Sequence, residues 1–117
     1  MTGEVSYCAG LAAEDIAERH YVGSGRPIVA RRWRGSAGEV DLIAQEGQGF
    51  VFIEVKKSGS HRTAAQRLSR GQMRRIYQSA SEFLADKPMG QNTEARFDVA
   101  LLDGQGRLSV VENAFDF

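Results

Sequence analysis

A chain of 117 residues with 42% hydrophobic content has the length of one ordinary domain and can build a core without disulfides or a structural metal. The formal net charge is zero, which argues against a non-specific polyanion binder of the histone kind. The lone Cys8 excludes an internal disulfide, no Cys and His cluster has zinc spacing, and apolar runs such as Phe50-Val51-Phe52-Ile53 are too short to cross a bilayer. The N-terminus lacks a basic region followed by an apolar stretch, so the expected setting is cytoplasmic and reducing, without a membrane partner.

No internal repeat, low-complexity tract or Pro-rich linker marks a boundary, so residues 1–117 are expected to form a single domain. From about Ser6 to Tyr21, Ala9, Ala13, Ile16, Ala17 and His20 recur at helical spacing, and Gly23-Ser24-Gly25 ends the helix. Three extended segments follow, near Ile28–Trp33, Glu39–Ala44 and Phe50–Lys56, separated by glycine-containing turns. They should pair as an antiparallel meander. A second helix has two candidate starts, because Thr63-Ala-Ala-Gln66 and Ser69-Arg-Gly-Gln72 both fit a capping box. Its buried stripe is Met73, Ile76, Tyr77, Ala80, Phe83 and Leu84, with Arg67, Arg70 and Arg74 on another face, and Pro88 and Gly90 end it. Strands near Arg96–Leu102 and Leu108–Glu112 complete the chain. A strand, helix, strand path from Phe50 to Leu102 predicts a right-handed parallel crossover, and with it an α/β sheet carrying helices.

The zero net charge conceals an asymmetry. From Arg26 to Arg75 eleven basic residues face four acids, a net of +7, and Lys57–Ser81 contains no acid at all. A phosphate backbone is the natural partner of such a surface, with Arg67, Arg70, Arg74 and Lys57 as the candidate nucleic-acid contacts. A solvated charged face balanced by acids on neighbouring elements gives the same composition.

Chemistry concentrates on two strands. Glu54 and Lys56 are two residues apart, so their side chains leave one face of a strand roughly 7 Å from each other. Charged groups on an otherwise apolar strand are expensive to desolvate unless they pair, bind a metal or open into a cleft. Gly38-Glu39-Val40-Asp41-Leu42-Ile43-Ala44 is the expected neighbouring strand, which can set Asp41 beside Glu54. Two carboxylates on adjacent strands offer the hard oxygen ligands that Mg²⁺ prefers, and Mn²⁺ can take its place. Lys56 at the edge of that site can orient a water or stabilise a phosphate. The same three residues also allow a purely structural Asp–Lys–Glu network. Glu39, by alternation, could assist the metal. His20 and His61 read as helix-end and loop residues, Trp33 as core packing, and Cys8 as inert.

"GEVDLIA…VFIEVK", the preceding "GLAAEDIAERHY", the later "RFDV" and the ending "ENAF" together resemble the YraN-like family of bacterial proteins. That family resembles archaeal Holliday-junction resolvases and the PD-(D/E)XK superfamily. The resemblance implies a restriction-endonuclease-like, three-layer α/β/α fold with a mixed sheet of about five strands. It also implies a divalent metal, Mg²⁺ or Mn²⁺, surrounded by Glu14, Asp41, Glu54 and Lys56, with Asp41 and Glu54 as ligands. Val40 stands where the superfamily has proline, and Lys57-Ser58 where the family commonly has threonine and arginine.

The expected activity is Mg²⁺-dependent hydrolysis of nucleic-acid phosphodiesters, in branched DNA by analogy, with a homodimer on the same ground. Three alternatives stand beside it. They are a nucleic-acid-binding module that does not cleave, a protein-interaction domain, and a metal-free RNase using His61 or Tyr77.

Overall fold

The computed structural model describes residues 3–57 and 68–114, with the side chains of the first helix from Ala12 onward. Helix α1 (Gly3–Gly23) leads into strands β1 (Ile28–Arg34), β2 (Glu39–Glu46) and β3 (Gly49–Lys57). Helix α2 (Arg70–Leu84) and a 3-10 turn (Gly90–Asn92) precede β4 (Ala95–Leu102) and β5 (Leu108–Val111). The strands lie in chain order in one sheet. β1, β2 and β3 form the expected antiparallel meander, β4 runs parallel to β3, and β5 returns antiparallel.

Alternation along β3 explains why a helix covers each face. Phe52 packs with Ile76, Ala80 and Leu84 of α2, while Val51 and Ile53 pack with Ala17 and Tyr21 of α1. The layers are therefore α1, sheet, α2, a three-layer α/β/α arrangement around a mixed five-stranded sheet. On the α2 side, Phe52 stacks on Phe97 at 5.4 Å and meets Phe83 edge-on at 5.8 Å. A buried phenyl ring of this kind stabilises a domain by about 3–5 kcal/mol relative to alanine. No described helix is long and apolar enough to cross a membrane.

Ser69 caps α2, its Oγ accepting the Gln72 amide N–H at 3.1 Å; the alternative start at Thr63 lies outside the described residues. The stripe on α2 differs at one position. Tyr77 is 40% exposed, its ring tilted over Phe97, whereas Ser79 is fully buried and its hydroxyl donates to the Gly38 carbonyl at 2.9 Å. A polar residue can occupy the core face because that one bond satisfies it.

The same bond fixes the turn between β1 and β2 against α2. Glu82 adds a second tie by accepting the Ser36 amide N–H at 3.0 Å. Gly35 sits so close to α2 that a Cβ would lie 3.0 Å from the Ser79 Cα, so only glycine fits this approach. Gly47, at φ +61°, turns β2 into β3.

Candidate functional site

The β2–β3 ladder runs from Glu46↔Gly49 to Leu42↔Ile53 and goes no further, although both strands continue. The reason is a change of face in β2. Val40 and Ile43, three residues apart, both join the α2-side core, while Leu42 and Ala44 join the α1 side. Alternation is therefore broken between Val40 and Leu42, at Asp41. Beyond that point the Asp41 carboxylate replaces a ladder carbonyl, its Oδ2 accepting the Val55 N–H at 2.8 Å. A side chain inserted between two strands holds them apart and opens the sheet at the C-terminal end of β3.

Glu54 lies in that opening. It is 8% exposed, its Oε1 receives a long bond of 3.4 Å from the Gln72 side-chain amide, and its Oε2 is buried without a hydrogen-bond partner. Burial and the Asp41 charge push the Glu54 carboxyl up to about 8. Burial also raises Asp41, opposed by the Val55 N–H, with Glu14 raising it further and Lys56 lowering it. Two facing carboxylates present acceptors and no donor, so either a proton or a cation must come between them. Without a cation the pair holds a proton, since both carboxyls are raised by burial and bonded to each other.

The four expected site residues thus converge unequally. Asp41 and Glu54 are in contact, and Lys56 is close enough to favour the ionised form of both. Glu14 acts on Asp41 through space, but its Oε2 is held by Arg32, at 2.9 Å from Nη2 and 3.3 Å from Nε. No three acids or histidines gather as a metal-ligand group among the described residues. The donor set is a pair of carboxylates with Lys56 beside it.

Comparison with known proteins places the chain in a family. Residues 13–102 match the uncharacterised protein family UPF0102. The chain belongs to that family. A UPF0102 protein of Cereibacter sphaeroides is 62% identical over 115 residues, covering 98% of both chains. One from Ruegeria pomeroyi is 52% identical over 113 residues, covering 97% of this chain and 92% of its own. The UPF0102 match spans α1 from Ala13 to the end of β4, and so contains all four acidic and basic residues of the site.

Other candidates in this UPF0102 chain fall elsewhere. Glu39 points to an ion pair with Arg34 at 3.3 Å and does not join the carboxylates, because the break at Asp41 puts the two acids out of alternation. Trp33 packs edge-on against Phe83 in the core, and His20 lies exposed at the end of α1 against Tyr21. Arg70 and Arg74 are exposed on α2 and Lys57 on the end of β3, whereas Arg67 and His61 lie outside the described residues. Cys8 is within α1.

Two residues go beyond the sequence expectations. Gln72 reads as half of a capping box, yet its side-chain amide donates to Glu54. Arg32 reads as one of several arginines around Trp33, yet it holds Glu14. A signal for Arg32 exists in the spacing: Ala30 and Trp33 are apolar three apart, where an unbroken strand would alternate every second residue.

Proposed function

We propose that this chain is a Mg²⁺-dependent endonuclease, with Mn²⁺ as a substitute, hydrolysing phosphodiester bonds of DNA. One observation carries the reading: Glu54 Oε2 is buried, unpartnered and next to a second carboxylate. Two buried carboxylates in contact are costly to keep in a folded protein unless a proton or a cation lies between them. Oxygen donors without sulfur or imidazole suit Mg²⁺, which uses one or two carboxylates and keeps several waters. Asp41 and Glu54 would hold the ion, and when bound it would polarise a phosphoryl oxygen and acidify a water.

The chain's own residues supply the rest. Asp41 is oriented by the Val55 N–H and Glu54 by Gln72, so the pair is fixed before any substrate arrives. Lys56 follows Glu54 by two residues on the same face, where an ammonium can align the attacking water and stabilise charge gathering on the phosphate. Arg70 and Arg74, exposed on the first turns of α2, would track the nucleic-acid backbone, with Arg67 and Lys57 as further contacts. The resemblance to junction resolvases supports branched DNA as the substrate and a homodimer as the acting unit. The cytoplasm is the compartment in which both DNA and a reduced Cys8 fit this role.

The deciding assay incubates the protein with linear, flapped and four-way DNA in Mg²⁺, Mn²⁺ or chelator. Cleavage is expected with either metal and none in chelator. Asp41→Asn and Glu54→Gln should abolish Mn²⁺ binding and cleavage while the protein still folds; Lys56→Ala should keep metal binding and lose cleavage. Binding should weaken steeply with salt, and Arg67, Arg70 and Arg74 changed together to alanine should flatten the slope by at most about 0.9 per lost phosphate contact. A second reading, a DNA-binding module that does not cleave, is favoured by the engagement of Glu14 with Arg32. Salt-sensitive binding without turnover in either metal would select it, and cleavage in chelator would select a metal-free nuclease.

A further inference from the structure

Arg32 is a strained residue in the middle of an edge strand. Its φ of 48° lies in the left-handed region that non-glycine residues seldom occupy, and it sits between the pairs Arg31↔Leu42 and Trp33↔Val40, opposite Asp41. The strain has a geometric product. Ala30 and Trp33 both pack on the α2 side, so the two arginines between them both turn to the α1 side. Arg31 pairs there with Asp15 and Glu18, and Arg32 with Glu14. Without the kink Arg32 would face the α2 side and leave Glu14 alone.

Glu14 is thereby tied to the strand residue that lies opposite Asp41. Its side chain is only 14% exposed, and both contacting nitrogens of Arg32 hold the same oxygen. The geometry points to Arg32 as the residue that sets the charge and ligand number of the Asp41–Glu54 site, by withholding the third carboxylate. This rests on the metal reading given above. Mg²⁺ takes one or two carboxylates with waters, whereas Ca²⁺ takes more oxygen ligands in looser geometry and gains affinity as ligand charge rises. Holding Glu14 back therefore favours Mg²⁺. Backbone strain at a position that touches the site only through another residue is accounted for by this positioning role.

The test is calorimetric titration of Mg²⁺, Mn²⁺ and Ca²⁺ into the full chain, as wild type, Arg32→Gly and the double variant Arg32→Gly/Glu14→Gln. Glycine accepts the left-handed backbone, so the strand is kept while the guanidinium is removed; Arg32→Asn, which also tolerates that conformation, is the second variant should glycine loosen the strand. Freed Glu14 should tighten Ca²⁺ binding by roughly tenfold, change Mg²⁺ less, and so shift the Ca²⁺-to-Mg²⁺ ratio. Adding Glu14→Gln should restore the wild-type ratio. A wild type that binds metal and an Arg32→Gly protein with the same ratio would overturn the inference while leaving the site reading intact. A shift that survives Glu14→Gln would overturn it equally. No heat from any metal in any variant would overturn both.

Discussion

Two buried acids on neighbouring strands meet opposite fates. Asp98, on β4, is fully buried and receives four donors: the Tyr21 hydroxyl at 2.7 Å, Nε and Nη2 of Arg96 at 2.9 and 3.1 Å, and the Asn113 N–H at 2.9 Å. Arg96 and Arg26 in turn both reach Glu46, and Arg26 lies over the Tyr21 ring. Glu54, on β3, has one long bond from Gln72 and, beyond that, only its contact with Asp41. A carboxylate whose lone pairs are all engaged ties α1, β4 and the chain end together. One buried against another acid, with few donors around it, keeps its neighbour's charge as a cost to the fold.

This contrast can be broken most forcefully at Asp98. Asp98→Asn leaves Arg96 only the half-exposed Glu46 as counter-charge and sets an amide against donors, and should destabilise the fold by about 3 kcal/mol in a denaturant titration. Glu54→Gln should do the reverse, because the amide donates to Asp41 and accepts from Gln72. Equal losses from both substitutions would make the two regions the same kind of structure.

The next effect is pH dependence. Glu54 moves from its usual 4.5 up to about 8, so between these values the folded chain holds a proton that the unfolded chain has released. Metal-free stability should therefore be highest below about pH 4.5 as far as this group is concerned, and decline by a few kcal/mol as pH rises through about 8. Asp41, also raised, adds to the same direction. Millimolar Mg²⁺ should offset the decline at the alkaline end, and Glu54→Gln should flatten it. Thermal melts across pH, with and without Mg²⁺, read out all three.

Smaller effects sharpen the comparison at the level of single bonds. Tyr21→Phe removes the 2.7 Å bond to the buried Asp98 and should cost about 2 kcal/mol. Burial and the Asp98 carboxylate hold the Tyr21 hydroxyl far above its ordinary range, so that bond should persist unchanged into alkaline solution. Gln72→Ala removes only the 3.4 Å bond to Glu54 and should cost less than about 1 kcal/mol, while weakening metal binding more than folding.

Much of this was legible in the sequence, because it rests on period and punctuation. Glycine-bounded alternating segments gave the meander, and an apolar stripe at helical spacing between two strands gave the parallel crossover that covers the α2 face. Asp41 beside Glu54 follows from one short hairpin. What was not legible depends on departures from period. The shared change of face at Arg32 and Asp41 removes Glu39 from the site and brings Arg32 onto Glu14, and neither follows from regular alternation. Asp98 has a local partner in Arg96, two residues before it, but its other two donors come from 77 residues away at Tyr21 and from the backbone of Asn113. The long-range half of that satisfaction has no local signature. Tyr77 fits the helical stripe by spacing yet stands half-exposed at its margin, its ring tilted over Phe97.

The central claim is that the unpartnered oxygen of Glu54 belongs to a cation held jointly with Asp41. A crystal grown in Mn²⁺, with diffraction recorded at the manganese edge, tests it without reference to any substrate. The account predicts an anomalous peak between the Asp41 carboxylate and Glu54 Oε2, within about 2.0–2.2 Å of both, in the range of oxygen bonds to small divalent cations. Density free of an anomalous peak at that position, with Glu54 Oε2 still buried and bonded to Asp41 through a proton, would contradict it.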